Sequence, residues 1–148
     1  MEVLTPKNSK RKRAKPVASS SAIERGDKAP HEHNTSLEDF VQFRSRLNVE
    51  ILNEGNLVIN RFFALDTRTY EAGALDVKTK ELLGLVASLV LRCDDCVTYH
   101  LTRCAEERVT RPEIFECLSV GLVVGGSIVI PHLRRAVDRW SALERLAH

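Results

Sequence analysis

The chain has 148 residues, a formal net charge of +2 and an apolar fraction of 43%, which is typical of a single globular domain. No uninterrupted apolar run reaches the roughly 18 residues of a membrane-spanning helix, and the charged N-terminus lacks the apolar stretch of a secretory signal. Four cysteines in a chain of this length do not make a disulfide scaffold. We therefore expect a cytoplasmic protein without a membrane partner, in which disulfides are not structural by default.

Residues 1–35 form a basic segment with eight Lys and Arg against four acids, so the segment carries +4 and the remainder −2. It is rich in Lys, Ser and Pro and poor in large apolar residues, which predicts a disordered tail. The run KRKRAK at 10–15 suits nucleic acid or an acidic surface, but a solubilising tail is the simpler interpretation. The predicted domains are this tail and a helical domain at 36–148.

The helical pattern begins at residue 35. Thr35 and Glu38 fit a capping box, apolar residues then recur at helical spacing, and Gly55 ends this first predicted helix. The second predicted helix runs from about Leu57 to Tyr70, and Gly73 marks the turn after it.

The third predicted helix runs from about Val77 to Arg92, with Asp76 as its N-cap. Its stretch LLGLVASLVL is apolar on every side, which predicts a central buried helix. A buried strand is the alternative, but the length of this stretch and the charged KTKE before it favour a helix.

Three more helices follow. The fourth begins within CDDC and runs to about Arg108, and the fifth opens with a capping box of Thr110 and Glu113. Gly125–Gly126 ends the fifth helix, and Ser127 can cap the sixth. No alternating strand pattern occurs, so the predicted fold class is all-α, a bundle of about six helices.

The stretch RCDDCVTYH at 92–100 places two cysteines and a histidine together at the start of the fourth helix. A structural zinc site would need a fourth ligand beside Cys93, Cys96 and His100, and Cys104 lies about 12 Å from Cys96 along a helix. Haem attachment needs a histidine directly after the second cysteine, where Val97 stands. We therefore expect no metal and no cofactor.

Two interpretations of the thiols remain. The first is structural, with buried cysteines and a satisfied histidine. The second is redox chemistry on a scaffold unlike thioredoxin, because the motif follows a helix and not a strand. A helix N-terminus lowers a thiol pKa, and His100 can accept the proton of Cys96. Asp94 and Asp95 oppose a thiolate unless they point into solvent.

Glu81 lies twelve residues before Cys93. Alone it would be interpreted as a solvated glutamate at the start of a helix. With the cysteines and His100 it completes the pattern E-x11-C-x2-C-x3-H. This pattern resembles the alkylhydroperoxidase D-like branch of the carboxymuconolactone decarboxylase family, over about residues 37–145.

The resemblance implies an all-helical peroxidase that works through its CxxC pair. Cys96 would attack the peroxide substrate, Cys93 would resolve the oxidised thiol, and Glu81 and His100 would form the proton relay. A lipoyl or thioredoxin-like dithiol would restore the thiols. Asp95 stands where some members carry a histidine, which implies a shorter relay.

The resemblance also implies a homo-oligomer, since single-domain members are commonly hexamers. Cys104 and Cys117 are interpreted as packing residues, and His132 has no assigned role. Two alternative functions stay open. One is decarboxylation of a muconolactone, which needs no redox thiols, and the other is a non-catalytic helical oligomer that binds an acidic partner through its basic tail.

Overall fold

A computed structural model describes residues 36–146, which form six α-helices and one short 3₁₀ helix and contain no strand. The predicted all-α architecture is confirmed. The tail at 1–35 and its predicted disorder lie outside the described residues. The elements in chain order are α1 (Leu37–Asn53), α2 (Leu57–Thr69), α3 (Val77–Val90), α4 (Asp94–Glu106), α5 (Arg111–Gly125), the 3₁₀ helix (Ser127–Val129) and α6 (Ile130–Leu146).

Side-chain caps fix where the helices begin. The side chain of Asp76 accepts a hydrogen bond of 2.8 Å from the backbone N–H of Thr79, which confirms it as the N-cap of α3. The capping box of α1 lies one residue later than predicted, between Ser36 and Asp39, because the side chain of each accepts from the other's backbone N–H. Thr35 lies outside the described residues.

The later boundaries follow the same chemistry. The carboxylate of Glu113 accepts from the backbone N–H of Thr110 at 2.7 Å and from its hydroxyl at 2.8 Å, so this predicted start of α5 is confirmed. The prediction that Ser127 caps the sixth helix is wrong. Gly126 has a φ of 73°, and the chain after it first makes the tighter 3₁₀ turn, so α6 begins only at Ile130.

The core lies where α3 packs on α4 and α5, and where α4 packs on α6. The prediction that α3 is buried on every side is wrong for the single chain. Leu83 and Leu91 are 56% and 75% exposed, because within residues 36–146 α3 packs mainly on α4 and α5 and these side chains lie outside those contacts. The buried residues of α3 are Glu81, Gly84, Leu85, Ser88 and Leu89.

Helices α1 and α2 contain no buried residue, and their side chains leave much apolar surface exposed. Phe62 and Leu65 on α2 are 66% and 64% exposed, and Val123 and Val124 on α5 are 84% and 67% exposed. None of the helices in 36–146 is long and apolar enough to cross a membrane.

Candidate active site

The turn between α3 and α4 sets the position of the first cysteine. Arg92 takes a positive φ of 61°, and its N–H donates to the carbonyl oxygen of Leu89 at 3.0 Å. The N–H of Cys93 donates to the carbonyl oxygen of Ser88, also at 3.0 Å. This pair of bonds closes the end of α3 in the Schellman arrangement. Cys93 thus makes the last backbone hydrogen bond to α3 and is also the N-cap of α4.

Cys93 and Cys96 are joined by a disulfide, with their Cα atoms 5.3 Å apart. The backbone N–H of Cys96 also donates to the sulfur of Cys93 at 3.3 Å. Cys96 is exposed and Cys93 is partly exposed. A thiol at the first turn of a helix is stabilised as a thiolate by the free N–H groups there, so the pair occupies a place suited to redox chemistry.

Glu81 and His100 form a buried pair between α3 and α4. Nδ1 of His100 donates to Oε2 of Glu81 at 2.8 Å, and the two side chains are 9% and 1% exposed. The interpretation of Glu81 as a solvated glutamate is therefore wrong. Gly84 leaves the space that the imidazole fills, since a Cβ on this glycine would lie 2.7 Å from Nε2 of His100.

His100 lies one helical turn after Cys96, and residues four apart on a helix have Cβ atoms about 5–6 Å apart. Helical side chains lean towards the N-terminus of their helix, which is the direction of Cys96. Because Glu81 occupies Nδ1, Nε2 is the ring nitrogen left for a second partner. The structure thus brings Glu81 and His100 together, and His100 lies one helical turn from Cys96 on α4.

Arg103 and Tyr70, whose side chains lie beside this pair, were missed in the sequence. Arg103 donates from Nε to Oε1 of Glu81 at 3.3 Å. The hydroxyl of Tyr70, just after α2, lies 3.5 Å from Nε2 of His100. Burial, followed by the charge of Glu81, raises the pKa of Tyr70 above its usual value. Tyr70 therefore keeps its proton and can only donate to a neutral His100.

Tyr99 packs edge-on against the imidazole of His100, with ring centroids 5.2 Å apart. The guanidinium of Arg44 lies 3.8 Å above the Tyr99 ring, which brings α1 to the site. A cation over an aromatic face is attracted by the negative face of the ring. Tyr99 thus contributes packing, while the hydroxyl that faces the imidazole belongs to Tyr70.

A second carboxylate–histidine pair lies at the start of α4. Asp94 accepts from Nδ1 of His132 and from Nε of Arg135, each at 2.8 Å. Burial acts to raise the pKa of Asp94, but the hydrogen bonds from Arg135 and His132 outweigh it, so the pKa of Asp94 is lowered. Asp95 is exposed, as expected for a solvated acid. His132, which had no assigned role, is therefore a partner of Asp94.

The two remaining cysteines lie in or against the core, which confirms the packing interpretation. Cys104 is fully buried, and burial, followed by the proximity of Cys117, raises its pKa to about 12. Cys117 donates to the carbonyl oxygen of Leu82 at 3.2 Å, and burial raises its pKa to about 11. In the described part of the chain no three His, Cys, Asp or Glu side chains are arranged to hold a metal ion.

Residues 57–139 match the sequence pattern of the carboxymuconolactone decarboxylase family. The matched segment is more than half of the 148 residues and includes Glu81, the CxxC pair and His100. This chain belongs to that family. The membership predicted from the E-x11-C-x2-C-x3-H pattern is confirmed, and the CxxC pair agrees with the alkylhydroperoxidase D-like branch of the carboxymuconolactone decarboxylase family.

Two bacterial relatives are similar to this family member in sequence. An uncharacterized protein of Cupriavidus necator is 30% identical over 71 residues, which are 48% of this chain and 63% of that protein. An uncharacterized protein of the cox locus of Paracoccus denitrificans is 26% identical over 88 residues, which are 60% of this chain and 79% of that protein. The chain thus spans less than two thirds of the first relative.

Crystal structures of other family members show the same fold. Two structures of a Thermotoga maritima protein are 57% and 58% identical to this chain, with TM-scores of 0.73 and 0.71. The two matches cover 74% and 73% of this chain, and 96% and 92% of the Thermotoga maritima chain. The second is described as a carboxymuconolactone decarboxylase family protein with a suggested part in an antioxidative response.

A carboxymuconolactone decarboxylase family protein from Legionella pneumophila is 24% identical to this chain, with a TM-score of 0.64. The match covers 76% of this chain and 97% of that protein. At this identity the likeness concerns the fold alone.

Proposed function

We propose that this protein is a thiol peroxidase that reduces a hydroperoxide at Cys96 and forms the Cys93–Cys96 disulfide in each cycle. The observation that carries the proposal is the buried Glu81–His100 pair one helical turn below an exposed CxxC cysteine. A purely structural pair of thiols would not need a desolvated acid–base pair beside it. The suggested antioxidative role of the Thermotoga maritima protein supports the same chemistry.

In the first step, the thiolate of Cys96 attacks one oxygen of the hydroperoxide. A sulfur–oxygen bond forms and the oxygen–oxygen bond breaks. The sulfur is oxidised to a sulfenic acid, and the peroxide is reduced to an alkoxide that takes up a proton and leaves as an alcohol. No metal or organic cofactor takes part in this step.

In the second step, the thiol of Cys93 attacks the sulfenic sulfur of Cys96. The disulfide forms, and the hydroxyl group leaves with the thiol proton as water. An external dithiol of the lipoyl or thioredoxin-like class then reduces the disulfide by exchange. That dithiol loses two electrons and two protons and becomes a disulfide itself.

The buried pair would move the proton in the first step. With Nδ1 of His100 bound to Glu81, the lone pair of Nε2 can accept the proton of the Cys96 thiol and return it to the departing alkoxide, because the Tyr70 hydroxyl lies 3.5 Å away and binds Nε2 only weakly. Glu81 holds the imidazole in this tautomer and stabilises its charged form, and Arg103 holds the other oxygen of Glu81 at 3.3 Å.

We also propose that the protein works as a homo-oligomer, and a hexamer would fit the resemblance. The exposed apolar side chains of α2 and α5 support this, because soluble monomers rarely leave large contiguous apolar patches exposed. Light scattering at micromolar concentration tests it, and a monomeric mass would refute it.

The peroxidase is tested by following peroxide consumption in the presence of a dithiol reductant. We expect turnover by the wild type, none by Cys96→Ser, and undiminished turnover by Cys104→Ser, which removes a thiol buried in the core. In Cys93→Ser, the first oxidation should stop at a sulfenic acid that mass spectrometry detects. Equal activity of Cys96→Ser and the wild type would refute the proposal.

A further inference from the structure

The carboxylate of Asp94 lies close to the thiols along the chain, since Asp94 follows Cys93 directly and is the first residue of α4. A carboxylate next to two thiols disfavours their ionisation and works against the positive end of the helix dipole. A site that depends on a thiolate would be expected to avoid such a charge or to neutralise it.

The groups that bind the Asp94 carboxylate come from another helix. Arg135 on α6 donates from Nε to Oδ2 of Asp94 at 2.8 Å, and His132 donates from Nδ1 to Oδ1 at the same distance. A second nitrogen of Arg135 lies 3.0 Å from Nδ1 of His132, so the three side chains form one cluster. Both carboxylate oxygens are therefore occupied by groups that α6 supplies.

We propose that Arg135 acts as a positioning residue for the cysteine pair, because its cation compensates the charge of Asp94 while His132 binds the other carboxylate oxygen, and that Arg135 thereby sets how readily the CxxC thiols ionise. The inference rests on the proposed function only in treating these thiols as reactive. Arg135 acts through Asp94 and does not itself touch the reacting atoms.

Other charged groups lie close to the thiols along the chain or on the packed helices and have to be held constant in a test. Asp95 lies on the same helical turn, Arg92 precedes Cys93, and the Glu81–His100 pair lies between α3 and α4. The variants below leave all of these in place. Arg134 is a matched control for Arg135, because it is exposed on the same helix and makes no ion pair within residues 36–146.

The experiment measures alkylation of the reduced, full-length protein by iodoacetamide as a function of pH, with mass spectrometry reporting Cys93 and Cys96 separately. We expect Arg135→Gln to raise the pH midpoint of alkylation of the faster-reacting thiol by about half a pH unit, which is the size expected for the loss of one exposed charge. Asp94→Asn should move the midpoint down. The double variant should return close to the wild type, and Arg134→Gln should not move it.

Salt provides an independent signature, because screening by 1 M salt reduces the interaction of exposed charges and should shrink the shift. Equal midpoints in Arg135→Gln and Arg134→Gln would overturn the inference. If circular dichroism shows that Arg135→Gln has lost its fold, Asp94→Asn decides alone, and an unchanged or raised midpoint in it overturns the inference. Alkylation needs no peroxide, so a moving midpoint without peroxide turnover would refute only the peroxidase.

Discussion

The Glu81–His100 pair and the Asp94–His132 pair have the same oxygen–nitrogen separation of 2.8 Å, and α4 supplies one member of each. Their surroundings differ. The side chains of the first pair are 1% and 9% exposed, whereas those of the second are 41% and 18% exposed. The first lies between two core helices, and the second lies at the N-terminal end of α4. Each carboxylate also has an arginine partner, Arg103 at Glu81 and Arg135 at Asp94.

This difference in solvent access predicts different roles. Inside a protein the effective dielectric is low, so a carboxylate strongly influences whether its partner histidine holds a proton. An exposed pair is screened by water and salt and contributes little to stability. This difference fits the two proposed roles, proton transfer at the buried pair and adjustment of the local charge at the exposed pair.

Among the variants that keep both cysteines, the largest effect is expected from Glu81→Gln, which keeps the shape of the side chain and an oxygen acceptor but removes the negative charge that stabilises a protonated His100. General acid–base assistance is worth about 10²–10⁴-fold, so kcat/KM for peroxide should fall at least about tenfold. Asp94→Asn, in the exposed pair, should change it less than about threefold. Steady-state peroxide reduction measures both.

Non-additivity provides the control for this prediction. His100→Gln should reduce the rate by a similar factor, and the double variant should be little worse than either single one, because members of one relay act together. Losses of equal size in Glu81→Gln and Asp94→Asn would remove the distinction between the pairs.

Gly84→Ala should come next in size, because the new Cβ would lie 2.7 Å from Nε2 of His100 and push the imidazole away from Glu81. Gly121→Ala is the matched control, since its Cβ would lie 2.7 Å from Cδ2 of Leu89 and not near the pair. Each substitution should lower the free energy of unfolding by about 1–3 kcal/mol because of overpacking. A gain in helix propensity of about 1 kcal/mol should offset part of this loss.

Thermal denaturation and peroxide kinetics separate the two glycine variants. We expect similar losses of stability in both and a loss of turnover only in Gly84→Ala. Full activity of Gly84→Ala would show that the imidazole does not need its present position.

Tyr70→Phe should have a smaller effect, because the hydroxyl lies 3.5 Å from Nε2 of His100, longer than an ordinary hydrogen bond. We expect a fall in kcat/KM of about threefold, the equivalent of a weak neutral hydrogen bond. The pKa of Tyr70 is raised by burial and then by Glu81, so the hydroxyl stays protonated and the loss should be the same from pH 6 to pH 9.

Tyr99→Phe controls for the aromatic ring, since Tyr99 packs on His100 through its ring and the hydroxyl facing Nε2 is that of Tyr70. Its rate should equal that of the wild type. Equal losses in both tyrosine variants would assign the effect to packing.

The smallest effect is expected at the thiols that adjoin neither pair. Burial raises the pKa of Cys104 to about 12 and that of Cys117 to about 11, so at pH 8 about one thiol in a thousand or fewer is ionised. Iodoacetamide should label the reduced CxxC pair within minutes and leave these two unlabelled in the folded protein. Rapid labelling of Cys104 would mean that the core opens readily.

Much of this molecule could be predicted from local sequence. Asp76 and Gly55 lie next to the residues whose backbone they cap or terminate, so helix ends depend on neighbours along the chain. The grouping of Glu81 with the CxxC pair and His100 came from the resemblance of their spacing to the alkylhydroperoxidase D-like branch, since Glu81 alone is an ordinary glutamate at the start of a helix. The same local signals placed the start of α1 one residue too early, because Thr35 and Ser36 are adjacent and both are residue types that cap helices.

The partners of the buried and exposed pairs were decided by tertiary structure. Asp94 meets His132 across 38 residues and His100 meets Tyr70 across 30, and no short spacing links either contact. Helical periodicity shows which face of a helix is apolar, but it does not say which helix will cover that face. Leu83 and Leu91 were predicted to be buried for that reason, and they stay exposed because they lie outside the contacts that α3 makes with α4 and α5.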